Sequence, residues 1–281
     1  MSVKKRIKQI LRTLAMIANE QKVVAVPRPI HTDKLLEGKV ALITGGSSGI
    51  GFAMAQSFVR SGCKVIIAGT SENKLKECCE KIGEGSIAYV TIDVTDVSSM
   101  LSKVCCAAKM FPENRIDILV NSAGVANHLD FLHVTEEEYD GIMDVNAKGT
   151  FFMSQAVAHY MIENRIKGHI LNVSSSSALR PAWTPYQMSK WTVRGLTMGL
   201  SDTLLPYGII VNAIGPGPVA TPMTGKTAQG NLYDATNPSG RCALPEEIAA
   251  LATFMVSDMG DLIVGDTFYM TGGGGTITYH G

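Results

Sequence analysis

Two side chains four residues apart, Tyr186 and Lys190, are the strongest candidates for chemistry in this chain. On a helix, positions i and i+4 share a face. An ammonium held beside a phenol favours the phenolate, so the phenol becomes a better acid near neutral pH. Such an acid can protonate the oxygen of a carbonyl that receives a hydride. A Tyr and a Lys at this spacing form a weak pattern alone. The pattern gains weight from Thr44-Gly45-Gly46-Ser47-Ser48-Gly49-Ile50-Gly51 upstream, from the serine run 174–177, and from an isolated Asn146.

The elements that must position these groups follow from the apolar pattern. Short apolar runs at Val40–Ile43, Lys64–Ala68, Ile87–Thr91, Ile116–Val120, Ile170–Val173, Ile209–Ala213 and Thr267–Met270 read as strands. Helical stretches separate them: one from the Gly-rich turn to about Arg60, others at about 72–81, 97–110 and 136–163, and one that bears Tyr186 and Lys190 and continues to about Leu205. Strands alternating with helices predict an α/β chain, a Rossmann-like doubly wound sheet of seven parallel strands covered on both faces. The Gly-rich loop then lies between the first strand and a helix, where backbone N–H groups can meet a pyrophosphate. Its spacing is G-x-x-x-G-x-G rather than G-x-G-x-x-G.

On these motifs the chain resembles the short-chain dehydrogenase/reductase family from about Leu36 to Gly275. Thr44 to Gly51 match its cofactor loop, with Gly45, Ser47, Ser48, Gly49, Ile50 and Gly51 as binding positions. Asp93 and Val94 match the pair that contacts adenine. Asn121-Ser122-Ala123-Gly124 match its N-N-A-G segment, so Asn121, Ala123 and Gly124 are implied cofactor contacts. Asn146, within Asn146-Ala147-Lys148-Gly149, matches the catalytic Asn, and Tyr186 and Lys190 match Y-x-x-x-K. Pro216, Gly217, Val219 and Thr221 match the segment that clamps the nicotinamide.

The resemblance implies a catalytic Ser about 13 residues before the Tyr, where Val173 stands. Aligning the strand 170–173 instead selects Ser175, with Ser174 as the alternative. The implied set is therefore Asn146, Ser175, Tyr186 and Lys190. Tyr186 exchanges the proton, Lys190 lowers its pKa and holds the nicotinamide ribose, Ser175 fixes the carbonyl, and Asn146 holds a water. The implied reaction is hydride transfer between NAD(P)(H) and a secondary alcohol or ketone. The alternative is a catalytically weak, nucleotide-bound scaffold or sensor.

Cofactor choice rests on the end of the second strand, Gly69-Thr70-Ser71. A carboxylate there would bind a 2′-hydroxyl and repel a 2′-phosphate. Gly69 carries none, which favours NADP(H) over NAD(H), with Thr70, Ser71 and Lys74 as phosphate partners. Substrate is expected near 125–132, 178–185 and 221–241, against Trp183, Met188, Met223, Leu232 and Tyr233. Arg165 and Lys167 keep one basic site that the resemblance associates with acyl-carrier-protein reductases; Tyr207 lacks the other.

The remaining composition narrows the class. The 25 basic and 25 acidic residues balance, which gives no support to nucleic-acid binding. Six cysteines without C-x-x-C spacing, and six scattered histidines, predict reduced thiols and no metal site. No apolar run approaches the roughly 20 residues that span a bilayer. Residues 1–35 form a basic extension ahead of the domain 36–281. Within it, residues 3–20 read as an amphipathic helix, with Ile7, Ile10, Leu11, Leu14 and Ile17 opposite Lys4, Lys5, Lys8 and Arg12. The expected location is cytoplasmic, as a homodimer or homotetramer. The helix packs on its own protein or a partner subunit, or lies on an anionic membrane surface; a mitochondrial presequence is a third reading, disfavoured by the excess of Lys over Arg and the scarcity of Ser.

Overall fold

The computed structural model describes residues 34–126, 130–225 and 230–277. The amphipathic helix expected over 3–20 lies outside them, as do residues 127–129 and 226–229 of the expected substrate segments.

Seven parallel strands form one sheet in the order β3-β2-β1-β4-β5-β6-β7. They are β1 (Val40–Thr44), β2 (Lys64–Gly69), β3 (Ile87–Thr91), β4 (Ile118–Asn121), β5 (Gly168–Val173), β6 (Ile209–Pro216) and β7 (Thr267–Met270). The order reverses between β1 and β4, and that switch point opens a crevice at the carboxyl ends of the strands. The helices are α1 (Gly49–Arg60), α2 (Glu72–Ile82), α3 (Met100–Ala108), α4 (Glu136–Met143), α5 (Thr150–Glu163), α6 (Pro185–Leu204) and α7 (Pro245–Met255).

Alternate strand residues enter two separate cores, because successive side chains point to opposite faces. Val40, Leu42, Ile66, Leu119 and Ile170 pack with Met153, Val157 and Met161 of α5. Ala41, Ile43, Ile67, Val120 and Leu171 pack with Met54 and Phe58 of α1 and Ile248 and Met255 of α7. Burial on both faces is why the strands read as unbroken apolar runs.

The elements differ from the sequence reading in three places. The single helix expected over 136–163 is interrupted by a π-helical segment, Asp144–Gly149, between α4 and α5. The fourth strand starts at Ile118, because buried Asp117 turns its carboxylate onto the backbone N–H of Val40 at 2.9 Å. Helix α7 was not among the expected elements; Pro245 at its first turn and acidic Glu246 and Glu247 start it.

At the amino-terminal edge of the sheet, His169 is buried, with Nε2 3.3 Å from Asp261 Oδ1. Burial, reinforced by the Lys39 cation, pushes its pKa from the ordinary 6.5 down to about 4. Between those values the unfolded chain binds the proton and the folded chain does not. Stability is therefore complete above pH 6.5 and is lost as pH falls towards 4. Urea unfolding at pH 7 and pH 4.5 should show this loss, and His169→Gln should shrink the difference by on the order of 2 kcal/mol. An unchanged difference would show that other groups carry the acid sensitivity.

Candidate active site

The crevice at the switch point is lined by Gly45, Ser48, Gly49, Ile50, Gly51, Ser122, Gly124, Val173, Ser174, Ser175, Tyr186, Lys190, Pro216, Gly217, Val219 and Thr221. These come from the loop ends after β1, β4, β5 and β6 and from the first turns of α1 and α6. Parallel pairing brings those ends to one edge.

The Gly-rich turn is shaped by close backbone approach. Gly45 has φ +65°, and a Cβ there would lie 2.8 Å from the Ala123 backbone. A Cβ on Gly51 would lie 2.4 Å from the carbonyl oxygen of Gly45. Thr44 closes the arrangement, its Oγ1 accepting from the N–H groups of Ser122 and Ala123, both at 3.2 Å. Ser48 occupies the N-cap of α1 without using its hydroxyl as a cap. The hydroxyl and the first-turn N–H groups of α1 remain to meet an anion. Opposite them, Thr221 is the neighbour that a Cβ on Gly49 would touch, at 3.3 Å. This glycine cradle at a helix N-terminus fits the pyrophosphate of a dinucleotide.

Helix α6 is fixed at its start. Thr184 and Gln187 form a reciprocal capping box, with Pro185 in the first turn. Tyr186 therefore projects from the first turn and Lys190 from the next. Lys190 is buried, donates from Nζ to the carbonyl of Val173 at 2.9 Å, and lies 5.6 Å from the centre of the Tyr186 ring. Desolvation lowers its pKa to about 8. Tyr186 is half-buried, and desolvation raises its pKa, while a hydrogen bond with Ser175 pulls it back down. The sequence reading assigned that lowering to Lys190. In the folded chain burial acts against the charge on both groups, and Ser175 supplies the opposing pull on the phenol.

The two candidate serines separate cleanly. Ser174 donates to the carbonyl of Lys190 at 3.0 Å and so ties β5 to α6. Ser175 accepts from the N–H of Ser177 at 3.1 Å and reaches Tyr186.

Asn146 sits in the π-helical segment, a distortion frequently found at functional sites. Its Oδ1 accepts from the N–H of Val125 at 2.9 Å, and its Nδ2 donates to the Val125 carbonyl at 2.9 Å and to Ser189 Oγ at 3.1 Å. Both amide hydrogens are committed to the protein, so little beyond one lone pair on Oδ1 remains for a water. Gly149 follows because a Cβ there would meet Val94 at 2.9 Å.

Other expected positions fall differently. Asn121 points into the core, donating to Ser154 Oγ and Asn172 Oδ1, both at 2.9 Å. Ser122, which the sequence reading did not select, lines the crevice in its place. Asp93 is exposed and holds Thr95 through Oδ1. Val94 is buried. Gly69 is half-buried and Thr70 and Ser71 are exposed at the end of β2. Met223, Trp183, Met188 and Tyr233 are exposed; of these, Met223 lines the crevice. No group of His, Cys, Asp and Glu among the described residues is placed to hold a metal, and no described helix is long and apolar enough to cross a membrane.

With this geometry in hand, known proteins are informative. The family model for short chain dehydrogenase matches residues 39–232. The 3-oxoacyl-[acyl-carrier-protein] reductase FabG of Thermotoga maritima is 36% identical over 244 residues, 85% of this chain and 98% of that protein. The NAD-dependent glycerol dehydrogenase of Listeria innocua is 35% identical, over 84% of this chain and 93% of its own length. Among solved structures, the 3-ketoacyl-(acyl-carrier-protein) reductase of Brucella melitensis complexed with NADH superposes with a TM-score of 0.78 at 32% identity. That match covers 86% of this chain and all of the other (100%).

Gly51→Ala should overpack the turn against the Gly45 carbonyl. The expected cost is about 1–3 kcal/mol of stability, with loss of most cofactor affinity. Urea unfolding together with fluorescence titration of NAD(P)H checks both, and wild-type affinity in the variant would show that the turn can give way.

Proposed function

This chain belongs to the short chain dehydrogenase family, and from that premise we propose that Asn146, Ser175, Tyr186 and Lys190 carry its reaction. The chain is an NAD(P)-dependent oxidoreductase that transfers hydride between the nicotinamide and an alcohol or its carbonyl counterpart. The observation that carries the assignment of roles is the convergence of Ser175, Tyr186 and Lys190 on the crevice that the Gly-rich turn borders.

When bound, the nicotinamide supplies or accepts the hydride. Tyr186 gives its proton to the substrate oxygen in reduction and takes it back in oxidation. Ser175, whose hydroxyl favours the ionised phenol, holds the same substrate oxygen and orients the carbonyl carbon. Lys190, with Nζ 5.6 Å from the centre of the phenol ring, holds the ribose and favours the phenolate. Asn146 fixes Val125 and the turn of α6 through Ser189. Gly45, Ser47, Ser48, Gly49, Ile50 and Gly51 hold the pyrophosphate, and Ala123 and Gly124 close over the adenine side. Asp93 and Val94 border the adenine, and Pro216, Gly217, Val219 and Thr221 the carboxamide.

On the substrate side, exposed Met223 lines the crevice, which suits a secondary alcohol or ketone with an apolar substituent. The relatives named for 3-oxoacyl-[acyl-carrier-protein] and for glycerol differ widely in substrate polarity. The catalytic unit begins near Leu36, which is fully buried and donates to Ser61 at 2.9 Å. Residues 1–35 then serve docking or assembly, in a cytoplasmic homodimer or homotetramer. Apolar exposure at Phe151, Trp191 and Met198 supports the oligomer.

NADP(H) is the preferred cofactor on this reading. No acid stands at Gly69, and Ser71 occupies the N-cap of α2 without using its hydroxyl as a cap. The neighbouring Glu72 is turned to Lys76 at 3.1 Å and Tyr89 at 3.2 Å. One relative is named NAD-dependent and one solved relative holds NADH, so the preference needs a direct test.

Two variants test these roles. Tyr186→Phe removes the transferable proton and leaves the cradle intact, so cofactor binding should hold within about twofold while kcat falls by at least about 100-fold; wild-type kcat would exclude Tyr186 as the acid. Gly69→Asp adds charge where a Cβ meets only Leu75 and Ser47 at 3.8 Å. NADPH should bind more tightly than NADH before the change and less tightly after it, as read by fluorescence titration. Tighter NADH binding by the unaltered chain would overturn the preference.

A further inference from the structure

Ser189 reads in the sequence as a spacer between Tyr186 and Lys190. In the folded chain it is fully buried, and its hydroxyl is committed twice. It donates to the carbonyl of Tyr186 at 2.7 Å, three residues back on α6, and accepts from Asn146 Nδ2 at 3.1 Å. One oxygen thus joins the backbone turn that carries the phenol to the amide in the π-helical segment.

That junction closes a ring of buried hydrogen bonds. Thr150 donates to the Asn146 carbonyl at 2.8 Å, and Ser154 donates to the Thr150 carbonyl at 2.7 Å. Asn121 donates to Ser154 and to Asn172. Asn172 donates to Thr197 Oγ1 at 3.0 Å, which returns the path to α6 two turns beyond Ser189. The ring runs from α6 through the π-helical segment, α5, β4 and β5 and back. Its amide links conduct no protons along it, so what it can transmit is position. Every side chain in it is buried, where losing a partner is costly; Asn121 Oδ1 is the member atom without one among the described residues.

We propose that Ser189 is a positioning residue for hydride transfer, coupling Asn146 to the helical turn that carries Tyr186. The proposal rests on the reading of Tyr186 as the acid. Removing the hydroxyl frees the Asn146 amide from α6 while leaving Tyr186, Ser175 and Lys190 in place. A network in which two residues act as one unit loses its effect only once, so the losses should not multiply.

The test uses the full chain with a ketone substrate and NAD(P)H. Ser189→Ala should lower kcat about tenfold, which corresponds to about 1.4 kcal/mol, with KM and cofactor Kd within about twofold of wild type. Ser189→Cys fills the same space with a weaker hydrogen-bonding group and should fall between Ala and wild type. In an Asn146→Ala background, Ser189→Ala should cause no further loss. Wild-type kcat in Ser189→Ala or in Ser189→Cys, or losses that multiply in the double variant, would overturn the proposal. Tyr186→Phe run alongside separates the two readings: if it keeps kcat, the role of Tyr186 falls and the proposal with it. If it is inactive while Ser189→Ala is unchanged, only the proposal falls.

Discussion

The site depends on one buried ammonium. Lys190 gives up hydration on entering the interior, a cost that must be met by a fixed acceptor. The Val173 carbonyl at the end of β5 is that acceptor. The same junction is fastened a second time, in the opposite sense, by Ser174 donating to the Lys190 carbonyl. Strand end and helix are thereby locked in register, and Ser175 is carried to the phenol by the residue before it. The capping box at Thr184 and Gln187 fixes where α6 begins, so the phenol and the ammonium inherit their relative height from the helix itself.

Burial also explains why the acid–base pair is not tuned in the simplest way. A cation beside a phenol in water favours the phenolate, but here both groups are withdrawn from solvent. Desolvation pushes the phenol up and the ammonium down. The chain offsets part of this with the Ser175 hydroxyl at the phenol and the Val173 carbonyl at the ammonium.

The fold was legible because both faces of the sheet are covered. Ala41-Leu42-Ile43 and Val65-Ile66-Ile67 could be apolar throughout only if each residue had a core to enter, and the two clusters supply them. The Gly turn, Tyr186 and Lys190 were legible because their spacing is itself the geometry. Asn146 and Asn121 were less so. The helical pattern across 136–163 gives no sign of the π-helical interruption that commits the Asn146 amide, since widening a helix by one residue leaves polarity unchanged. The direction of the Asn121 side chain follows from its place as the last residue of β4, facing α5, a fact of pairing rather than of composition. Ser189 carried no signal, because a buried serine and a solvent-facing one look alike in a sequence.

The glycines of the proposed cofactor site divide into two kinds. Gly45 and Gly51 stand where any added carbon meets backbone, and no repacking of side chains can relieve that. Gly69 has no such constraint: an added carbon meets only ordinary contacts. The turn proposed to grip the pyrophosphate therefore tolerates no added side chain without backbone movement, while the position proposed to discriminate between dinucleotides does. On the proposed assignment, a change of coenzyme at Gly69 calls for no backbone movement, whereas one at Gly45 or Gly51 does.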